Sequence, residues 1–218
     1  YAMLEKPAHA FYVPEYTSQS DVDRSRLSRD MGTIRNSIVR HALDDGMTKL
    51  LTMDTDQVYL TRDMIPRMLA HDKKIVAARV HRRYPPFDPI MLEVVGDKDG
   101  EKTYKIMDFD KVCAAVKAGS LVRVDNVGTG CVLYDTCVFL DVADPWYEFR
   151  TYADGREAGE DCTFHEKCAD AGIEIYVDAG IEVLHMNTHG IGMGDYMLEH
   201  FRQSRQEQPK QTGVKQNG

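Results

Sequence analysis

Two aspartates one residue apart close an apolar run in Leu50-Leu51-Thr52-Met53-Asp54-Thr55-Asp56. The four residues before Asp54 have the composition of a short buried strand bounded by polar turns. A buried carboxylate is costly unless it is paired or metal-bound, so Asp54 and Asp56 belong at the strand's exposed C-terminal end. Side chains at i and i+2 of an extended segment share a face, so both can converge on one cation or one charged ligand. In open α/β sheets that edge is where ligands bind. A solvated turn explains an isolated Asp-x-Asp equally well, and its meaning rests on what the chain brings beside it.

Several groups further along could act with it. Glu160 and Asp161 open a segment that reads as a helix to about Ala171, where carboxylates are favoured by the helix dipole. One of them can cap while the other faces a site as a general base. His185 ends a strand-like run from Ile181. With Asp54 and Asp56 it makes a mixed oxygen and nitrogen donor set compatible with Mn²⁺ or Mg²⁺, a substrate phosphate completing the shell. Arg35 lies near the start of a helix opening at Gly32; its functional reading is on a ligand phosphate or on a partner of Asp54. Gly128-Thr129-Gly130 suggests backbone brought close to something. It is not a nucleotide fingerprint, because the third glycine of one motif and the lysine of the other are absent. Trp146, the sole tryptophan, is the first choice for an aromatic face against a sugar, core packing being its bland alternative.

The elements that must position these groups follow from periodicity. Residues 10–13 read as a short strand stopped by Pro14, and residues 15–31 as a loop with at most one helical turn, carrying Arg24, Arg26 and Arg29. Ile34, Ile38, Val39, Ala42 and Leu43 give the next helix its apolar stripe, with Gly46 as its stop. After the organising strand, a helix is expected over 63–70 and an interior strand over 74–80. That strand leaves through His81-Arg82-Arg83-Tyr84-Pro85-Pro86-Phe87, a basic and aromatic ligand wall. Residues 91–107 read as a hairpin inserted on the main sheet, 109–118 as a helix, and 173–177 and 181–185 as two strands. Beyond Leu198 apolar periodicity stops, which predicts a disordered end or flap.

Composition bounds the class. The 218 residues suit one domain over 1–200 with a polar tail over 201–218. A net charge of −8 argues against nonspecific nucleic-acid binding, and no run approaches the roughly 18–20 apolar residues of an integral membrane segment. Five cysteines without zinc-knuckle spacing read as free thiols in a reducing compartment, hence a cytoplasmic protein.

Taken together, Ile34-Arg35-Asn36, Asp54-Thr55-Asp56, Gly128-Thr129-Gly130 with Pro145-Trp146, and Gly159-Glu160-Asp161 followed by His185 occur in an order that resembles the family 2 glycosyltransferases of the GT-A fold. The resemblance covers residues 32–185. It implies a Rossmann-related α/β domain with a mixed, mainly parallel central sheet and flanking helices. Only 31 residues precede Gly32, so residues 10–13 are either the first strand of a shortened fold or the second strand of one lacking its first. By the same resemblance Asp56 looks like the direct Mn²⁺ ligand, Asp54 lies near the ribose or reaches the metal through water, and His185 is similar to the third protein ligand. Asp161 looks like the general base, with Glu160 beside it, while Gly128–Gly130 and Trp146 flank the sugar site. The implied reaction moves a sugar from a nucleotide-sugar donor, UDP-linked by default, to a carbohydrate or other acceptor hydroxyl, with inversion. Two rivals stand against it: a metal-dependent nucleotidyltransferase and a noncatalytic carbohydrate-binding relative.

Overall fold

The computed structural model describes residues 24–206, apart from 99 and 153. Helix α1 (Arg24–Asp44) begins earlier than expected, taking in residues read above as loop. Val39 and Ala42 are buried on its apolar stripe. Gly46, at φ +66°, ends it, and the N–H groups of Gly46 and Met47 bond the carbonyls of Leu43 and Ala42. Strand β1 (Lys49–Met53) leads through the aspartate turn into β2 (Gln57–Tyr59), α2 (Met64–Ala70) and β3 (Ile75–Val80). All six residues of β3 are buried, the five apolar ones as an interior strand requires and Arg79 because its guanidinium bonds Ala179 O and Glu182. The hairpin of β4 (Met91–Lys98) and β5 (Glu101–Ile106) is followed by α3 (Phe109–Ala118), β6 (Leu121–Val124), β7 (Asn126–Val127), β8 (Cys131–Asp135) and the single turn α4 (Val138–Asp141). The small pair β9 (Arg150–Thr151) and β10 (Glu157–Ala158) precedes α5 (Glu160–Asp170), β11 (Ile175–Met186), β12 (Gly190–Ile191) and α6 (Met193–Gln206).

The main sheet is mixed, in the order β1-β8-β3-β11-β12, with β2 and β6 also paired to β11. The expectation of mainly parallel neighbours needs correction: among the described residues only β3 with β11 pairs in parallel. Strands β1, β3 and β11 do run in one direction, but β8 slots between β1 and β3 antiparallel to both. The predicted hairpin lies in a separate sheet, β5-β4-β7.

Alternation along β3 divides the core. Ile75 and Ala77 join Val39, Tyr134 and Phe164 on one side, while Val76, Ala78 and Val80 join Met64 and Met68 of α2 on the other. The two strands expected over 173–185 are one strand with a bulge. Asp178 pairs with Ala78, yet Glu182 pairs with Arg79, so three extra residues intervene. An odd insertion reverses alternation. Ile175 and Val177 accordingly face the first core, and Ile181 and Val183 the second.

Over 199–206 the structure departs from the disordered end expected beyond Leu198: α6 is helical through Gln206, with Tyr196 packed against His81 and Phe109, and His200 stacked on Phe109. Residues 10–13, the remainder of the 201–218 tail, and the side chains of Arg24, Arg26 and Arg29 lie outside what is described. No helix among the described residues is long and apolar enough to cross a membrane.

Candidate active site

Because β1, β3 and β11 share a direction, their C-terminal ends deliver three groups to one edge: Asp54 and Asp56, then His81 to Arg83, then His185. Backbone bonds stitch the aspartate turn in place. The Asp54 N–H donates to Gly130 O at 2.8 Å, the Gln57 N–H to Asp54 O at 3.2 Å, and the Met186 N–H to Asp56 O at 2.8 Å. Gln57 is the cross-strand partner of His185. Thus the end of β11 is tied to the turn that carries both carboxylates.

Asp56 Oδ2 lies 3.3 Å from His185 Nε2 and 3.0 Å from an Arg83 Nη1. His185 Nδ1 lies 2.8 Å from the carbonyl oxygen of His81, so Nδ1–H donates there and Nε2 is the nitrogen that faces Asp56. A lone pair facing a carboxylate oxygen is satisfied by a proton or by a cation held between them. A backbone carbonyl on the far ring nitrogen is what orients metal-ligating histidines, and the pair therefore fits two adjacent positions of a divalent ion. Asp54 does not complete the set. Its Oδ1 takes an ion pair from Arg35 Nη2 at 3.2 Å, and no group of three acidic, histidine or cysteine donors stands ready for a metal among the described residues.

Arg35 links the two halves of the site. Its Nε also pairs with Glu160 Oε1 at 3.1 Å, on the first turn of α5. Burial works against the guanidinium charge, but the Asp54 and Glu160 carboxylates outweigh it and hold the group above its ordinary pKa. Asn36, the next residue, fixes the helix to the chain after Pro145: its side chain accepts from the Tyr147 N–H at 3.0 Å and donates to Tyr147 O at 2.8 Å. Gly32 permits that approach, since a Cβ there would lie 3.0 Å from Tyr147 O.

At the start of α5 the carboxylates are perturbed together. Burial, then the charge of Asp161, pushes Glu160 up; Arg35 opposes this. Burial also pushes Asp161 up, against the Cys162 N–H at 2.8 Å and Arg35, with the charge of Asp54 adding to the rise. Four carboxylates thus share an edge with two arginines, which leaves it short of positive charge.

The remaining predicted residues fall differently. Gly130 is needed for packing, because a Cβ there would lie 1.9 Å from Gln57 Nε2. Thr129 is buried, and its carbonyl accepts from Thr52 Oγ1 at 3.3 Å; a Cβ on Gly128 would meet Ile90 at 3.2 Å. This segment supports the aspartate turn from behind. Trp146 requires correction as a sugar platform. It is 6% exposed, its indole N–H is shared by the carbonyls of Phe139 and Val142, and Phe139 lies edge-on to its ring. Core packing claims it. Arg83 and His81 belong to the loop 81–87 expected as a ligand wall, but no motif pointed to the Arg83 contact with Asp56 or to the carbonyl of His81 that orients His185. Two concavities that share Gly172, Ile173 and Glu174 lie at the beginning of β11, whereas the Asp56–His185 pair is at its end.

No protein-family model and no curated protein matches the chain. Among solved structures, the crystal structure of A197 from STIV is similar over 72% of this chain and 68% of that one, at 15% identity and a TM-score of 0.45. A likeness at that level carries no argument about fold or function.

Proposed function

We propose that the chain is a metal-dependent glycosyltransferase with a GT-A-like architecture, transferring a sugar from a nucleotide-sugar donor to an acceptor hydroxyl. The observation that carries the reading is the Arg35 bridge between Asp54 and Glu160, which sets the aspartate turn and the acidic helix start around one edge. Asp56 and His185 would hold the cation, Mn²⁺ or Mg²⁺, with donor phosphates filling the positions that Asp54 does not. When bound, such an ion neutralises charge on the diphosphate leaving group. Asp161, whose proton affinity is raised by burial, accepts the proton of the acceptor hydroxyl. Glu160 and Arg35 hold that helix end against the donor side. A base acting opposite the leaving group makes the displacement inverting. Five free cysteines support a cytoplasmic setting.

The test is calorimetric titration of UDP and of GDP, with and without Mn²⁺, into the wild type and Asp56→Ala. Metal-dependent binding of one nucleotide, lost in the variant, is expected. Failure of both nucleotides to bind under every condition would sink the reading.

A further inference from the structure

The loop after β3 is held at both ends. His81 bridges Pro89, the Arg82 N–H bonds Asp88 O at 2.9 Å, the His81 ring bonds Phe87 O at 2.8 Å, and the Phe87 N–H bonds Tyr84 O at 2.9 Å. Arg83's own carbonyl accepts from Asn187 Nδ2 at 3.1 Å, just past the end of β11. The backbone of Arg83 is therefore fixed beside the site, while its side chain is 46% exposed and touches Asp56, itself 36% exposed, through a single recorded contact at 3.0 Å. A half-exposed, single-contact ion pair is weak, and a guanidinium on a long stem moves at little cost.

We propose that Arg83 is a built-in counter-ion that competes with the divalent cation for Asp56 and, once displaced, binds the donor's diphosphate. Both halves follow from charge. A cation between Asp56 and His185 takes the oxygen that Arg83 now neutralises and repels the guanidinium. The incoming diphosphate offers what that guanidinium matches best, paired anionic oxygens in a planar fork. Arg83 would thereby keep the unloaded edge from gathering excess negative charge and favour loading of metal and nucleotide together. This inference rests on the reading of the edge as a metal-dependent nucleotide site.

The experiment compares wild type, Arg83→Ala and Arg83→Lys in two titrations, Mn²⁺ alone and the nucleoside diphosphate at saturating Mn²⁺. Arg83→Ala is expected to bind Mn²⁺ alone about fivefold more tightly, since a competitor is gone. It should bind the nucleotide about tenfold more weakly, with Arg83→Lys between the two. A purely structural role does not move the two affinities in opposite directions. Unchanged affinities, or two changes of the same sign, would overturn the inference alone. A wild type that binds neither probe overturns the functional reading and this inference with it.

Discussion

Asp161 sits on the first turn of α5 where burial disfavours its charge, while the Cys162 N–H and Arg35 favour it; burial prevails and the pKa rises. In the proposed reaction Asp161 is the base, and a base works only when ionised, so a raised pKa moves the acidic limb of the rate profile upward. The limb of kcat/KM is therefore expected above the ordinary aspartate range. Asp161→Asn should lower kcat by about 100-fold or more while leaving nucleotide affinity near the wild-type value, since no contact of Asp161 reaches the Asp56–His185 pair. Steady-state kinetics with binding measured in parallel decides it. A variant with unaltered kcat would transfer the base role to Glu160 or remove it from this helix. Residue type and spacing were enough to single out Glu160 and Asp161, because two adjacent acids at a helix start exceed what capping needs. Trp146 shows the reverse. An aromatic ring has the same signature in a core as on a ligand platform, and only its 6% exposure separates them.

At the scale of elements, the bulge in β11 decides which way the end of the strand faces. Asp178, fully buried, is clamped by Arg67 Nε and Nη2 at 2.6 and 2.7 Å and by His71 Nε2 at 2.7 Å, while the Gly180 N–H donates to it at 2.9 Å. Gly180 leaves room for this, since a Cβ would lie 2.4 Å from Arg67 Nη2. Burial opposes ionised Asp178, but these bonds prevail and hold its pKa below the usual range. Stability from the clamp is present above the unfolded-state pKa and lost as pH falls through the depressed folded value. Asp178→Asn removes a charge that a one-third-exposed arginine keeps partly solvated, so the loss falls at the low end for a buried pair, about 3 kcal/mol. Denaturant unfolding measures it. A midpoint unchanged from wild type would mean that the bulge holds without the clamp. The sequence showed two apolar runs around Asp178-Ala179-Gly180 and suggested two strands. Nothing in a local window distinguishes a turn from a three-residue bulge, because the difference lies in the register with β3.

For the molecule as a whole, two buried histidines set an acid limit. His165 Nδ1 donates to Val127 O at 2.8 Å and its Nε2 faces Tyr134 Oη at 3.2 Å, while the His81 ring lies between Phe87 O and Arg79. Burial pushes both down to about 4. The unfolded chain then binds more protons than the native one between the ordinary value of about 6.5 and that lowered value, so stability falls as pH drops through this window. Glu160 and Asp161, raised by burial, act oppositely over the ordinary carboxylate range. The fold is expected to lose on the order of 3 kcal/mol per buried histidine across the window. Thermal melts from pH 7 to 4 check this, and a slope undiminished in His165→Gln would remove His165 from the account. The sequence by itself determined that Asp54 and Asp56 end a strand at an exposed edge, since an apolar run cannot bury two charges. It also determined the interior strand at 75–80, the helix from Glu160, and His185 at a strand end, because each rests on periodicity and local backbone chemistry. Only the tertiary structure decided that β8 inserts antiparallel between β1 and β3, that Arg35 bridges Asp54 to Glu160, which lies 125 residues beyond the arginine in the chain, and that Arg83 meets Asp56. Those contacts depend on strand order and register, which arise from burying many side chains at once and are written in no single stretch.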